Sequence, residues 1–199
     1  FPKELNKVFF VNSGSEASDL AIRMARYHTK NESVVVIENG YHGHTQMGIN
    51  ISDYKFNNKK GTGQKDYILK LDISDTFNGK YKSEDKDAGF KYAKDALKIL
   101  NKNEDSIAAF ICEPILSCAG QVPLASNYLK NLYPSIKEKG GVCISDEVQT
   151  GFGRLGKCFW GYESQDVIPD IVVLGKPMGN GHPIGAVITN SEIANSFSK

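Results

Sequence analysis

The sequence predicts an α/β fold built on a mostly parallel sheet, and three observations carry that expectation. β-rich stretches alternate with helical periodicity, the pattern of parallel strands joined by crossover helices. Val34 to Ile37 is an unbroken β-branched run, of the kind buried on both faces of a parallel sheet. Polar and glycine residues suited to chemistry follow directly after the apolar runs, where open α/β sheets gather their ligands.

In chain order, Lys7 to Asn12 is a short apolar run that stops at Ser13-Gly14-Ser15. Ala17, Leu20, Ala21, Met24 and Ala25 then recur at the spacing of one helix face. The Val34–Ile37 run ends at a Glu38-Asn39-Gly40 turn. From Ser52 to about Asp105 the chain is polar and lysine-rich. Tyr67 to Ile73 reads there as a strand, and Phe90, Ala93, Leu97 and Leu100 as a solvent-facing amphipathic helix. Ile107 to Cys112 reads as a further strand. Ser126 is placed to cap a helix with Leu129, Leu132, Tyr133 and Ile136 on one face, and Pro134 is expected to kink or split it. Gly140-Gly141 ends that helix. Val142–Ser145, Ile171–Leu174 and Ala186–Thr189 follow as strands. No repeat, low-complexity segment or interdomain linker is visible.

A length of 199 residues suits one domain with a substantial core. The 24 Lys+Arg against 23 Asp+Glu leave +1, which removes the basic excess that bulk nucleic-acid binding requires. A hydrophobic fraction of 40% excludes a disordered chain. No run approaches the roughly 18 apolar residues of a spanning helix, so no membrane partner is expected. Cys112, Cys118, Cys143 and Cys158 form no CxxC pair and no ligand cluster with histidine. They read as free thiols in a reducing cytoplasm, and no metal site is expected. The chain opens at Phe1 without a signal peptide and reads as a piece of a longer protein.

Five polar clusters fall on one edge of the expected sheet: Asn12 to Ser15, Gly40 to His44, Glu113, Asp146 to Gln149, and Gly175-Lys176. Ser13-Gly14-Ser15 opens a helix, where free backbone N–H groups and the dipole favour an anion. Read alone, it is first an ordinary N-cap supported by Glu16 or Asp19, and only then an anion site. Asp146 ends an apolar strand, so its carboxylate needs a cationic or donor partner, either structural or a protonated ring nitrogen. Lys176 follows the buried run Ile171–Gly175 and is ringed by glycines. Desolvation there suits an imine-forming amine, while a lone lysine would read as a snorkelling strand end. Tyr41 and His42, in a glycine-flanked turn, suit stacking on a planar ligand or simple loop closure. A phosphate cradle, a ring stacker, a buried carboxylate and a strand-end lysine together make the apparatus of pyridoxal-phosphate chemistry.

At these residues the sequence resembles the class III aminotransferases, pyridoxal-phosphate enzymes of fold type I. The likeness rests on Asn12-Ser13-Gly14-Ser15-Glu16-Ala17, Tyr41-His42-Gly43, Glu113-Pro114, Asp146 to Arg154, and Pro169-Asp170-Ile171 through Gly175-Lys176. Ser117 to Gln121 and Gly175 to Pro183 look most like the branch holding ethanolamine-phosphate phospho-lyases and alanine–glyoxylate aminotransferase 2-like proteins. The resemblance implies a three-layer fold with a mostly parallel, seven-stranded-type sheet, here incomplete, with residues 1–199 as the cofactor-binding large domain. It implies that Lys176 is the Schiff-base lysine and that Asp146 keeps the ring nitrogen protonated. Gln149 is then the partner of the ring's 3-oxygen, and Tyr41 and Val148 cover the two ring faces. Gly14 and Ser15, beside Ser13, hold the phosphate, Glu113 supports the ring-side network near Asp146, and His42 is counted among the cofactor-binding residues. Substrates would be an amine or amino acid and a 2-oxo acid, and the assembly a homodimer or larger homo-oligomer.

Two departures from the family pattern matter. Ornithine- and GABA-type members carry a gating glutamate five residues after the Glu of Glu-Pro, and Cys118 stands there instead. Family members also add a small domain and a threonine from the neighbouring subunit, which this chain lacks. Two alternatives accompany the transferase expectation. One is a phospho-lyase that eliminates phosphate from a phosphorylated amine with the same cofactor. The other is a non-catalytic binding module that retains the fold.

Overall fold

The computed structural model describes residues 1–103 and 106–198. Its strands are β1 (Lys7–Val11), β2 (Ser33–Ile37), β3 (Ile68–Leu71), β4 (Ile107–Cys112), β5 (Ile115–Leu116), β6 (Val122–Pro123), β7 (Val142–Asp146), β8 (Ile171–Leu174) and β9 (Gly185–Thr189). The helices are α1 (Gly14–Thr29), α2 (Gln46–Asn50), α3 (Asp53–Phe56), α4 (Ala88–Lys102), α5 (Tyr128–Glu138) and α6 (Ser191–Phe197). Seven strands form one sheet in the order β1-β9-β8-β7-β4-β2-β3, and β5-β6 is a separate small hairpin.

Strands β3, β2, β4, β7 and β8 are mutually parallel. Strand β9 runs antiparallel to both β8 and β1, so β1 points with the parallel set. The link between β8 and β9 holds only a short 3-10 turn, Lys176–Gly179. A parallel return needs a crossover of a dozen or more residues, so the chain doubles back antiparallel.

Side-chain alternation in the strands sorts the core into two layers. Val34, Val36, Ala109, Ile111, Ile144 and Val173 pack with Ala17, Ala21, Ile22, Met24 and Ala25 of α1. Val35, Ile37, Phe110 and Cys143 face the other way, toward α4 and α5 through Ala93, Leu100, Leu129, Leu132 and Ile136. Both faces are therefore covered, which makes three layers and explains why the central strands read as continuous apolar runs. All four cysteines are unpaired. No helix among the described residues is long and apolar enough to cross a membrane.

Three local expectations need correction. Ser126 does not cap α5; Asn127 does, in the left-handed region at φ 63° and without a side-chain cap bond. Asparagine tolerates that conformation better than serine. Pro134 does not split the helix, which is continuous over Tyr128–Glu138. The carbonyl that Pro134 leaves without a donor belongs to exposed Lys130, where water serves it, and Leu129, Leu132, Tyr133 and Ile136 hold the buried face. Helix α4 is not merely solvent-facing: Ala88, Gly89, Tyr92, Ala93, Ala96 and Leu100 are buried, whereas Phe90 is exposed. Asp105, at the far end of the lysine-rich segment, lies outside the described residues.

Candidate functional site

Because β1, β2, β4, β7 and β8 point the same way, their carboxyl ends share one sheet edge. A cavity of about 240 Å³ opens there, and all ten residues expected to contact a cofactor line it. Ser13, Gly14 and Ser15 come from the start of α1, Tyr41 and His42 from beyond β2, and Glu113 from beyond β4. Asp146, Val148 and Gln149 follow from the end of β7, and Lys176 from the end of β8.

The N-cap reading of Ser13-Gly14-Ser15 holds, and it leaves donors free for the other. Ser13 is the N-cap, its Oγ accepting from the Glu16 N–H at 3.1 Å. Glu16 reaches back to accept from the Asn12 N–H at 2.6 Å. The Gly14 and Ser15 N–H groups, in the first turn, have no intrahelical acceptor and remain for an anion. Glycine is required here by close approach. A Cβ on Gly14 would lie 2.8 Å from both γ-methyls of Val148, and one on Gly175 would lie 3.0 Å from Gly14 Cα. The two glycines thus let the α1 terminus, the Val148 loop and the end of β8 meet.

Asp146 is 3% exposed. Its Oδ1 accepts from the Val148 N–H at 3.1 Å, and its Oδ2 lies 2.8 Å from His42 Nδ1. A carboxylate only accepts, so this contact places the His42 proton on Nδ1. His42 Nε2 is buried without a partner among the described residues, as is the Oγ of Ser18. Each carboxylate oxygen of Asp146 keeps a lone pair for a further donor in the cavity. A buried acceptor, free helix-terminal donors and two unpartnered polar atoms around one cavity fit a ligand with a protonated nitrogen and an anionic group.

Glu113 is nearly buried and braces the opposite wall. Its Oε2 accepts from the Tyr41 N–H at 3.0 Å, and its Oε1 from the Ser117 N–H at 3.2 Å and the Ser117 hydroxyl at 2.5 Å. Burial pushes its carboxyl above the usual range, with His42 opposing and Asp146 adding to the rise. Burial likewise raises the Tyr41 phenol, helped by Cys118, Asp146 and Glu113. Behind Asp146, Glu147 is fully buried and accepts from Ser145, Thr150 and the Gly161 and Tyr162 N–H groups. These bonds tie the strand end to the Gly161–Gln165 turn, and burial again raises the carboxyl.

Lys176 departs from the expected desolvated setting: it is exposed, with no described element covering it. Its backbone sits in the left-handed region at φ 40°, a conformation costing a non-glycine residue of order 1–3 kcal/mol. Residues held in this region cluster at active sites and ligand clamps, and Lys176 stands at a strand end lining the cavity. Four further lining residues carried no role in the sequence: Ser18, Gly43, His44 and Ser117. Ser18 had a readable signal, since it is a polar residue in register with Ile22 and Ala25 on the apolar face of α1. His44 places Nδ1 3.2 Å from the Ser15 hydroxyl, a contact across 29 residues that periodicity does not reveal.

The family model "Aminotransferase class-III" matches residues 1–199. Among curated proteins, an alanine–glyoxylate aminotransferase 2-like protein of Drosophila melanogaster is 46% identical over 202 residues, covering 98% of this chain and 41% of its own. An ethanolamine-phosphate phospho-lyase homolog of Caenorhabditis elegans is 42% identical, covering 97% and 44% respectively. Among solved structures, a phospholyase from Arthrobacter in complex with phosphoethanolamine matches with TM-score 0.86 and 35% identity, covering all of this chain and 47% of the other. An omega transaminase from Pseudomonas jessenii in complex with PMP matches with TM-score 0.89 and 27% identity, covering 100% and 46%. The chain thus spans less than half the length of these relatives.

Proposed function

The chain belongs to the class III aminotransferase family, and on that premise we propose that it is the cofactor-binding part of a transaminase moving an amino group from an amine or amino acid to a 2-oxo acid. The cofactor is pyridoxal 5'-phosphate, which when bound supplies a ring that accepts the electron pair released at the substrate carbon. Lys176 would supply the amine that holds the cofactor and the Nζ that takes and returns a substrate proton. Asp146 would hold the ring-nitrogen proton, with His42 fixing its carboxylate. The Gly14 and Ser15 N–H groups, next to Ser13, would hold the phosphate. Gln149 would serve the ring's 3-oxygen and Tyr41 and Val148 the ring faces, with Glu113 keeping Tyr41 in place through its backbone N–H.

One observation carries this reading: a strained strand-end lysine, a buried carboxylate and an open helix N-terminus line a single cavity. A non-catalytic module would have no use for that combination. We further read residues 1–199 as the large domain of a longer chain that forms a homodimer or larger homo-oligomer. We also infer a cytoplasmic location, with which the free thiols are compatible; some relatives are named as mitochondrial proteins.

A second reading, elimination of phosphate from a phosphorylated amine, is favoured by the phospho-lyase relatives. Product analysis on the full-length protein separates the two. Alanine plus glyoxylate yielding a new amino acid supports transfer, whereas ethanolamine phosphate yielding inorganic phosphate and acetaldehyde supports elimination. Neither product, from a protein loaded with cofactor, contradicts both.

A further inference from the structure

The segment Gln46–Phe56 carries no motif, yet it grips the turn that presents Tyr41 and His42 at four successive residues. Asp53 Oδ2 accepts from the Asn39 N–H at 2.8 Å. The Tyr54 N–H donates to the Gly40 carbonyl at 3.2 Å. The Tyr54 ring meets the Tyr41 ring edge-on, with centroids 6.1 Å apart. Ser52 Oγ accepts from the His42 N–H at 2.8 Å.

The chemistry of Ser52 and Asp53 shows that these contacts are more than local folding. Ser52 is the N-cap of α3, and a capping serine ordinarily turns its oxygen onto its own helix. Here it makes no such bond and accepts from His42 instead, while giving its proton to the Gly48 carbonyl at 2.6 Å. Asp53 is 1% exposed, and a buried carboxylate is costly unless paired and hydrogen-bonded. Its second oxygen takes Lys70 Nζ from β3 at 3.1 Å, which leaves the first for Asn39. Asn39 itself sits at φ 61°, in the left-handed region that asparagine tolerates, and so turns the chain toward Tyr41.

We propose that Ser52, Asp53 and Tyr54 are positioning residues for the cofactor site, holding the Asn39–His42 turn so that the Tyr41 ring lines the cavity and His42 stays on Asp146. The proposal rests on the cofactor reading above. A brace with a purely structural role would lower stability and leave a bound chromophore undisturbed. Two variants of the full-length protein separate these roles: Ser52→Ala, which removes the acceptor for His42, and Tyr54→Leu, at a position 44% exposed where folding is not at stake. The readouts are the melting temperature of the cofactor-free form, the affinity for pyridoxal phosphate by titration, and the visible circular dichroism of the bound cofactor. Ser52→Ala should weaken binding about fivefold, as the loss of one hydrogen bond implies, and diminish the visible signal. Tyr54→Leu should weaken it about two- to tenfold with an unchanged melting temperature. Variants that match the unaltered protein in affinity and visible signal overturn the proposal, whatever their melting temperature. If Ser52→Ala does not fold, Tyr54→Leu decides. An unaltered protein that binds no pyridoxal phosphate overturns the functional reading and this proposal with it, whereas normal binding matched by the variants overturns this proposal alone.

Discussion

Asp146 concentrates the chemistry because it is a buried carboxylate whose partners, His42 and the Val148 N–H, leave capacity unused. Asp146→Asn keeps the shape but removes the charge that holds a ring-nitrogen proton. Turnover of the full-length enzyme should fall roughly 10²–10⁴-fold, the scale of a positioned proton-handling group, while the melting temperature of the cofactor-free form barely moves. Near-normal turnover would make Asp146 no more than a structural partner of His42. Glu113 gives a second test, through pH. Its folded-state carboxyl is held above the ordinary range by burial, so between the ordinary and the raised value the folded state keeps a proton that the unfolded chain has released. Stability relative to Glu113→Gln is therefore greatest below the ordinary carboxylate value, falls as pH rises through that window, and is flat above it. The surface carboxylates Asp85, Asp95 and Asp166, lowered by lysine partners, shift the opposite way but cancel in the comparison. Urea midpoints of the two proteins across pH measure the difference, and one that rises with pH would reverse the assignment.

At the scale of elements, the meeting of the α1 start, the Val148 loop and the end of β8 decides whether a cavity exists at all. Gly14→Ala places a methyl against Val148, and overpacking of this kind costs roughly 1–3 kcal/mol. Val148→Ala removes both opposing methyls, so the double variant should recover most of the loss in thermal denaturation. Additive effects would show that the two residues do not press on one another. Elements were legible in the sequence where burial is two-sided or periodic. Val34–Ile37 and Ile107–Cys112 are wholly buried strands, and Ala17 to Ala25 is a helix face. Helices α2 and α3, of five and four residues, are too short to show a 3.6-residue period. Asn50, Ser52 and Asp53, in and between them, are buried, which their polar character does not reveal. The cap at Asn127 and the strained φ of Lys176 are backbone states that composition does not encode. The site residues were legible because strand polarity gathers strand-end residues on one edge. Ser18, a lone polar group on an apolar helix face, carried a signal of its own, whereas the His44–Ser15 contact, across 29 residues, left none.

At the scale of the molecule, residues 1–199 carry the sheet, the cavity and the candidate lysine, yet span less than half of the relatives' length. Lys176 is exposed in this chain, so the desolvation that suits an imine-forming amine has to come from the bound cofactor and from the rest of the enzyme. The shortest route to the central claim is borohydride reduction of the full-length protein after loading with pyridoxal phosphate, followed by proteolysis and mapping of the labelled peptide. The account predicts a single reduced adduct on Lys176, abolished in Lys176→Ala. An adduct on a different lysine, or no adduct in a protein shown to bind the cofactor, would contradict it.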